Sequence, residues 1–417
     1  MSRTLIVLAG LALSSSAFPQ WIDTQKVGPG GETYLSTDGK GNVYATSHLP
    51  GKLYVSHDYG KTFGAGIDLP DSFCDVCSTV GPDGQLYVIY IRPGVSGMQV
   101  VKLSKDGTNV VKGGALLGSL DREWIVVDPK TNAVGFDYSD GYIGGPKSKG
   151  VFYAQSTDGG DSFKTIGRID KEQAGSYAVD PYLTIGTGGR IYAGWATAGD
   201  DYNTIQTYKV ATSDDDGKTW QNHTEIGRTH PGFGDIQERW MLGSLTAAGA
   251  DTAMMVYEDY IDITVDGQDV RPHLVFYRVT KDGGKTWSSA KTCLSPKEIE
   301  ASIHQFLQGN GRAALTPTYN QTLPWICADP QGNIHMAFVD NRAGTSTTPD
   351  GKKVGMWQVR ETTWSPESGF AASEPVSHQW AAGRPPLDFL SCCCDSSNMW
   401  VSWTEDPDNE GSWDFSG

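Results

Sequence analysis

A chain of 417 residues with 51 Gly, 13 Trp and a net charge of −16 is longer than one ordinary hydrophobic core spans, unless repeats share the core. The acidity argues against nucleic acid and anionic membranes as partners, since both would repel it. Abundant Gly and aromatic residues suit many short strands joined by tight turns.

The chain opens on Arg3, an apolar run from Leu5 to Leu13, and small residues from Ser14 to Ala17. That order reads as a secretory leader over 1–17, too short to span a bilayer, followed by a single domain over 18–417 outside the cell. A pattern then recurs: an apolar strand, a turn of Gly, Asp or Pro, and a strand rich in Tyr, Val and Trp. Its copies start near Thr33, Asp75, Glu123, Tyr177, Glu238, Pro324 and Leu387. Each copy predicts the two inner strands of a four-stranded blade. The expected fold is therefore an all-β propeller of seven blades, with six as the runner-up. Trp21 to Val27 is expected to supply an outer strand of the last blade, so that N- and C-terminal strands close the ring and leave no open edge. Ser295 to Leu323 has no strand pattern and reads as a long insertion over one face, a lid.

Four shorter segments spell Ser/Thr-x-Asp-x-Gly-x-Thr/Ser-aromatic, centred on Asp58, Asp158, Asp215 and Asp282. In such a segment the Asp caps backbone N–H groups of a tight turn and Gly takes the positive-φ position. The final aromatic, Phe63, Phe163, Trp220 or Trp287, is expected to drop between neighbouring sheets. These segments match the Asp box, and the chain resembles the sialidase-like β-propeller superfamily over nearly its whole length after the leader. The resemblance implies a secreted, glycan-active protein, with sialidase as the default activity. Authentic sialidases carry a Phe/Tyr-Arg-Ile-Pro motif before the first box. Here that region reads Glu32-Thr-Tyr-Leu-Ser, and the nearest look-alike, Tyr90-Ile-Arg92-Pro93, follows the box. The family's arginine triad is therefore not carried over.

Seven cysteines, Cys74, Cys77, Cys293, Cys327 and the run Cys392–Cys394, read as disulfides plus one leftover thiol in an oxidising compartment. Cys74-x-x-Cys77 lacks the βαβ context of a redox motif, and no second Cys/His pair has zinc spacing. Asn222 and Asn320 head glycosylation sequons.

In a propeller, residues just before the innermost strand and just after the second strand surround the axial mouth. Before the inner strands stand Asp75, Asp121 to Trp124, Asp180, Gln237 to Trp240, Trp325 and Asp388. After the second strands stand His48, Arg92, Tyr138, Asp140, Glu258 to Tyr260, Asp340 to Arg342, Glu405 and Asp406. Turn chemistry has no special use for Arg beside Trp. Arg122, Arg239 and Arg342 could converge on an anionic group through their planar forks, or each could pair with an adjacent acid. His48 and Tyr138 are candidates for proton transfer, and Asp75, Asp180, Glu238, Glu258 and Asp388 could supply a carboxyl pair across the mouth. Trp124, Trp240 and Trp325 could stack on a sugar ring, and Asp180 is a further candidate for binding it.

The expected function is exo-acting, sialidase-type cleavage of a terminal sugar at or next to a carboxylate-bearing sugar. One alternative is a hydrolase or lyase releasing rhamnose from glucuronate, with Arg122 or Arg239 on the uronate and His48 and Tyr138 moving the proton. The other is a lectin. The partner is a glycan, with neither nucleic acid nor a membrane span, and a monomer is expected. No cofactor is required, although carboxylates and carbonyls converging in the channel would suit Ca²⁺; no other metal is expected.

Overall fold

The computed structural model describes residues 4–11, 20–21, 25–48, 50–105, 107–141, 148–171, 177–198, 205–228, 243–310, 319–347, 351, 353–382 and 390–405. Its strands form antiparallel sheets that follow one another along the chain. The first sheet comprises Gly31–Thr37, Val43–His48, Lys52–Ser56 and Ile67–Asp68. The second comprises Cys74–Val80, Leu86–Ile91, Gly97–Leu103 and Val110–Leu117. The third comprises Leu120–Val127, Val134–Asp140, Val151–Ser156 and Lys164–Arg168. The fourth comprises Tyr177–Ile185, Ile191–Ala198, Ile205–Ser213 and Gln221–Arg228. The fifth is built from Ser244–Ala247, Ala253–Tyr260, His273–Thr280 and Lys291–Thr292. The sixth starts with Gln321–Ala328, Ile334–Asp340 and Lys353–Ser365, whose far edge takes several short segments.

The last sheet joins both ends of the chain. Ser391–Cys394 pairs with Asn398–Glu405, which pairs along its length with Thr4–Leu11. Gln20–Trp21 and Gln25–Pro29 then pair with Thr4–Leu11. Trp21 and Gln25 to Val27 thus join this sheet as expected, but by pairing with Thr4–Leu11, which falls in the expected leader.

The first strands of successive sheets touch in a closed circle, the last returning to the first. This is an all-β propeller. Side-chain hydroxyls stitch the inner strands together: Ser391 accepts from the Leu35 N–H at 2.8 Å, Ser36 and Ser78 meet at 2.8 Å, and Ser244 accepts from the Ile326 N–H at 3.2 Å. Such contacts satisfy polar groups that would otherwise be buried unpaired.

The four Asp boxes sit between the third and fourth strands of the first, third, fourth and fifth sheets, and share one hydrogen-bond pattern. In the first, Ser56 Oγ donates to Asp58 Oδ1 at 2.7 Å, Thr62 N–H to the same oxygen at 2.9 Å, and Thr62 Oγ1 to Oδ2 at 2.7 Å. Asp158, Asp215 and Asp282 repeat it with their own Ser or Thr partners. These bonds favour the ionised carboxylate and hold Asp58 and Asp282 down to about 2. The final aromatic packs against the preceding sheet. Phe163 lies 5.0 Å from Phe136 in a cluster containing Tyr87 and Ile89 of the second sheet. Phe63 packs with Trp400 of the last sheet, across the closure.

The segment read as a lid contains helix α1, Pro296–Asn310. Ile299, Ile303 and Phe306 bury its inner face in the core shared by the fifth and sixth sheets. Glu298 accepts from the Ser373 N–H at 3.3 Å and pairs with Arg342 at 3.4 Å. The helix is packed core material, which corrects the lid expectation for its described part. Among the described residues, no helix is long and apolar enough to cross a membrane.

Gly217 of the third box has φ 79°, and a Cβ there would lie 2.2 Å from the Tyr153 ring. Gly84 has φ 84° but open space around it. Gly217→Ala should cost about 3 kcal/mol or more by denaturant titration, against about 1 kcal/mol for Gly84→Ala. Equal costs would contradict the packing argument.

Candidate functional site at the axial mouth

Each inner strand that can be followed from its start carries one irregularity near its beginning. The register slips between Gly31 and Thr33, Cys74 and Cys77, Asp121 and Trp124, Val179 and Tyr182, and Thr322 and Trp325. An extra residue in an antiparallel strand bends it and re-aims a side chain. The residues at this point are Glu32, Asp75, Arg122, Asp180 and Leu323. Four of them take φ between 46° and 54°, the left-handed region that non-glycine residues seldom adopt.

Two residues beyond the bulge, the strands deliver Tyr34, Cys77, Trp124, Tyr182 and Trp325. The rings of Trp124 and Trp325 lie 4.9 Å apart; Tyr34 lies 5.7 Å from Trp124 and 5.4 Å from Trp325; Tyr182 stacks 6.4 Å from Trp124. Trp124 Nε1 also donates to Pro181 O. This aromatic plug separates the mouth from an axial cavity of ≈ 310 Å³ below it.

Above the plug lies a buried cluster of charge. His48 Nδ1 is 2.8 Å from Glu32 Oε2, and the Asp75 N–H donates to the same oxygen at 3.1 Å. Arg122 Nε is 3.9 Å from Asp75 Oδ2 and 3.4 Å from Asp180 Oδ1. Asp121 and Glu123 flank Arg122 in the chain. A crevice of ≈ 10 Å³, the size of one water, lies between Tyr34, Trp124, Asp75, Arg122 and Glu123.

The acids are pushed in opposite directions. Burial would raise Glu32, but the charge and hydrogen bond of His48, with help from Arg122, hold it down to about 2. Burial and the charge of Glu32 push Asp75 up to about 7, against Arg122 and His48. Burial raises Asp180, with Arg122 opposing. Burial and the nearby Asp75 charge also drive Asp121 and Glu123 well above the usual carboxyl range. Two neighbouring carboxyls with separated proton affinities are the arrangement acid–base chemistry needs.

The structure brings His48, Asp75, Arg122, Asp180 and Trp124 together at the mouth. Tyr138 belongs elsewhere: it is buried between the second and third sheets, where its hydroxyl meets Thr165 Oγ1 at 2.8 Å. Arg342 is not part of an anion clamp. Its guanidinium lies 2.6 Å from Asp340, with Glu298 and Ser373 beside it, so the alternative of pairing with a neighbouring acid holds there. Arg122 also pairs with acids, although they come from the second and fourth sheets and not from its own turn. Glu238, Arg239, Trp240 and Asp388 lie outside the described residues. Asn320 is 2% exposed, so the folded chain does not present it for glycosylation; Asn222 is partly exposed, with its amide donating to Thr212 Oγ1 at 2.9 Å. All seven cysteines are thiols, in place of the disulfides expected. Among the described residues no three His, Cys, Asp or Glu side chains are arranged to hold a metal ion.

Glu32 is the residue that sequence reasoning missed. It stands in the first sheet where Asp75, Arg122 and Asp180 stand in the next three, so alignment of the repeats would have found it. Tyr34 and Tyr182 were detectable in the same way, as counterparts of Trp124 and Trp325.

No protein-family profile matches the chain, and no curated protein does. Solved structures that resemble it include the α-L-arabinofuranosidase Arb93A from Fusarium graminearum, 14% identical, covering 79% of this chain and 92% of that one, with a TM-score of 0.43. An α-L-arabinanase from Penicillium chrysogenum is 12% identical over the same shares, with a TM-score of 0.37. Kuenenia stuttgartiensis hydrazine synthase is 11% identical, covering 83% and 95%, with a TM-score of 0.47. At this level the likeness says nothing of activity; the fold description rests on the strand pairing.

The raised affinity of Asp75 has a consequence for stability. The folded protein holds a proton there that the unfolded chain releases near pH 4, so stability is lost as pH rises from about 4 to 7. Asp75→Asn removes that loss. Its Tm should exceed the wild-type value at pH 8, and the gap should narrow steadily toward about pH 4. A gap independent of pH would contradict the assignment.

Proposed function

We propose that the chain is a glycan-cleaving hydrolase whose axial mouth acts on a terminal, uncharged sugar. Asp75 serves as general acid and Asp180 as the second carboxyl. The observation that carries this reading is the arrangement of acids about Arg122. Asp75 and Asp180 both approach its Nε, so their contacting oxygens are no farther apart than the sum of 3.9 and 3.4 Å. That bound is compatible with the separations at which paired carboxyls cleave glycosides. Burial raises Asp180, and Arg122 opposes that by favouring its charged form. Glu32 is a positioning residue: fixed by His48 and ionised, it keeps a proton on Asp75 near neutral pH, where a general acid is effective. The water-sized crevice beside Asp75 supports hydrolysis. Nothing in these steps needs a cofactor.

The cluster does not favour the acidic sugar expected from the arginines. Arg122 is already approached by Asp75 and Asp180, and the ionised Glu32 beside them would repel a sugar carboxylate. The repeated Asp-box clasp supports membership among sialidase-like propellers without sialidase specificity. We read the ring as seven blades, because the inner strands starting at Gly31, Cys74, Leu120, Tyr177, Ser244, Gln321 and Ser391 touch in a circle.

Assay of nitrophenyl glycosides of neutral, uronic and sialic sugars tests the proposal. Turnover is expected on a neutral sugar, with kcat/KM lowered by roughly 10²–10⁴-fold in Asp75→Asn and Asp180→Asn. Glu32→Gln removes the charge that disfavours ionised Asp75. The alkaline limb of the pH profile should therefore move to lower pH, while a merely structural role for Glu32 would leave that limb in place. Wild-type activity in Asp75→Asn, turnover confined to anionic sugars, or sugar binding without turnover would each overturn the reading.

A further inference from the structure

Below the aromatic plug, three thiols share one wall of the axial cavity. Cys327 lies on Gln321–Ala328, the inner strand of the sixth sheet, and Cys392 and Cys394 on Ser391–Cys394, the inner strand of the last. Those two strands are neighbours. Side chains alternate along a strand, so Cys392 and Cys394 point to the same face. Cys392 Sγ lies 3.5 Å from Cys327 Sγ, and Cys394 also hydrogen-bonds with Cys327. Both Cys327 and Cys394 are partly exposed, and all three line the ≈ 310 Å³ cavity.

The other cysteines do not share this arrangement. Cys393 also borders the cavity, but it belongs to a cluster with Tyr54 and Trp400 on the opposite side of its strand. Cys293 is buried in the core around helix α1. Cys74 and Cys77 are separated by the bulge at Asp75, and Cys77 Sγ donates to Glu123 O at 3.2 Å.

We propose that Cys327, Cys392 and Cys394 form a thiol–disulfide exchange site on the wall of the axial cavity, with Cys327 the shared partner of two alternative disulfides. The oxidant is a small disulfide that fits the cavity, such as cystamine. The Cys394 thiolate attacks one sulfur of the reagent, forming a mixed disulfide and releasing one small thiol, which takes up a proton. The Cys327 thiolate then attacks Cys394 Sγ, forming the Cys327–Cys394 bond and expelling the second small thiol, which takes up the other proton. Attack by Cys392 on Cys327 Sγ moves the bond to Cys327–Cys392 and returns Cys394 as a thiol. Two protein thiols are oxidised and one reagent disulfide is reduced. Either bond would tie the sixth sheet to the last, where the chain ends close the ring. Burial pushes the Cys327 thiol well up, so exchange should speed up as pH rises.

Native protein treated with cystamine, quenched with acid and mapped by mass spectrometry tests this. Loss of two hydrogens, mapped to a bond from Cys327 to Cys392 or Cys394, is expected, with a Tm rise of roughly 5 °C. Cys327→Ser should keep its fold by circular dichroism, lose the internal bond and accumulate the mixed disulfide at Cys394. Cys77→Ser should react like the wild type. Thiols that all remain free, a cystamine adduct that never resolves in the wild type, or an internal bond at Cys74–Cys77 would each overturn the proposal. Glycosidase activity is a separate readout, so failure here leaves the hydrolase reading to its own test.

Discussion

An inner strand with one residue too many must bend to accommodate it. In this ring the bend recurs at the same height on successive strands, and the side chains at it converge at the mouth. Glu32, Asp75, Arg122 and Asp180 enter the mouth from successive sheets, while Tyr34, Trp124, Tyr182 and Trp325 meet below them. The left-handed backbone of Asp75, Arg122 and Asp180 costs on the order of 1 kcal/mol each. Strand pairing on both sides of each bulge holds the conformation in place. In the sixth sheet, Glu258 of the neighbouring sheet caps the bend by accepting from the Leu323 N–H at 2.6 Å and from Thr322 Oγ1.

Convergence of this kind crowds like charges, and the crowding sets the chemistry. One guanidinium cannot balance Glu32, Asp75, Asp121, Glu123 and Asp180 when all are shielded from water. The cluster therefore holds protons. Geometry decides which acid gives up its proton first. Glu32 has His48 against it, and Asp75 has Glu32 against it. The same crowding engages Arg122 with its own acids and keeps a proton at Asp75. It also places a conditionally destabilising group in the site, as expected where activity and stability compete.

Much of the architecture was legible because its signals are local. An Asp box completes its hydrogen bonds within eight residues, so Asp58, Asp158, Asp215 and Asp282 could be assigned without knowing the fold. The paired-strand repeat was legible for the same reason. The bulges were not legible, since a one-residue slip depends on the partner strand. Tyr138 follows a second strand as a mouth residue does, yet its side chain packs toward the neighbouring sheet. Sequence leaves Arg342 open as a clamp or a local partner, and Asp340 decides for the latter. Helix α1 did have a sequence signal: Ser295-Pro296-Lys297-Glu298 has the Ser/Thr-x-x-Glu spacing of a capping box with Pro at the first helical position.

The account stands on a proton held at Asp75 by burial and by the neighbouring charge of Glu32. Carbon-13 NMR of the aspartate side-chain carboxyls, with Asp75 assigned by comparison to Asp75→Asn, reads that proton directly. The account predicts that the Asp75 resonance titrates near pH 7 in the wild type and at distinctly lower pH in Glu32→Gln. A midpoint near pH 4 in both proteins would contradict it.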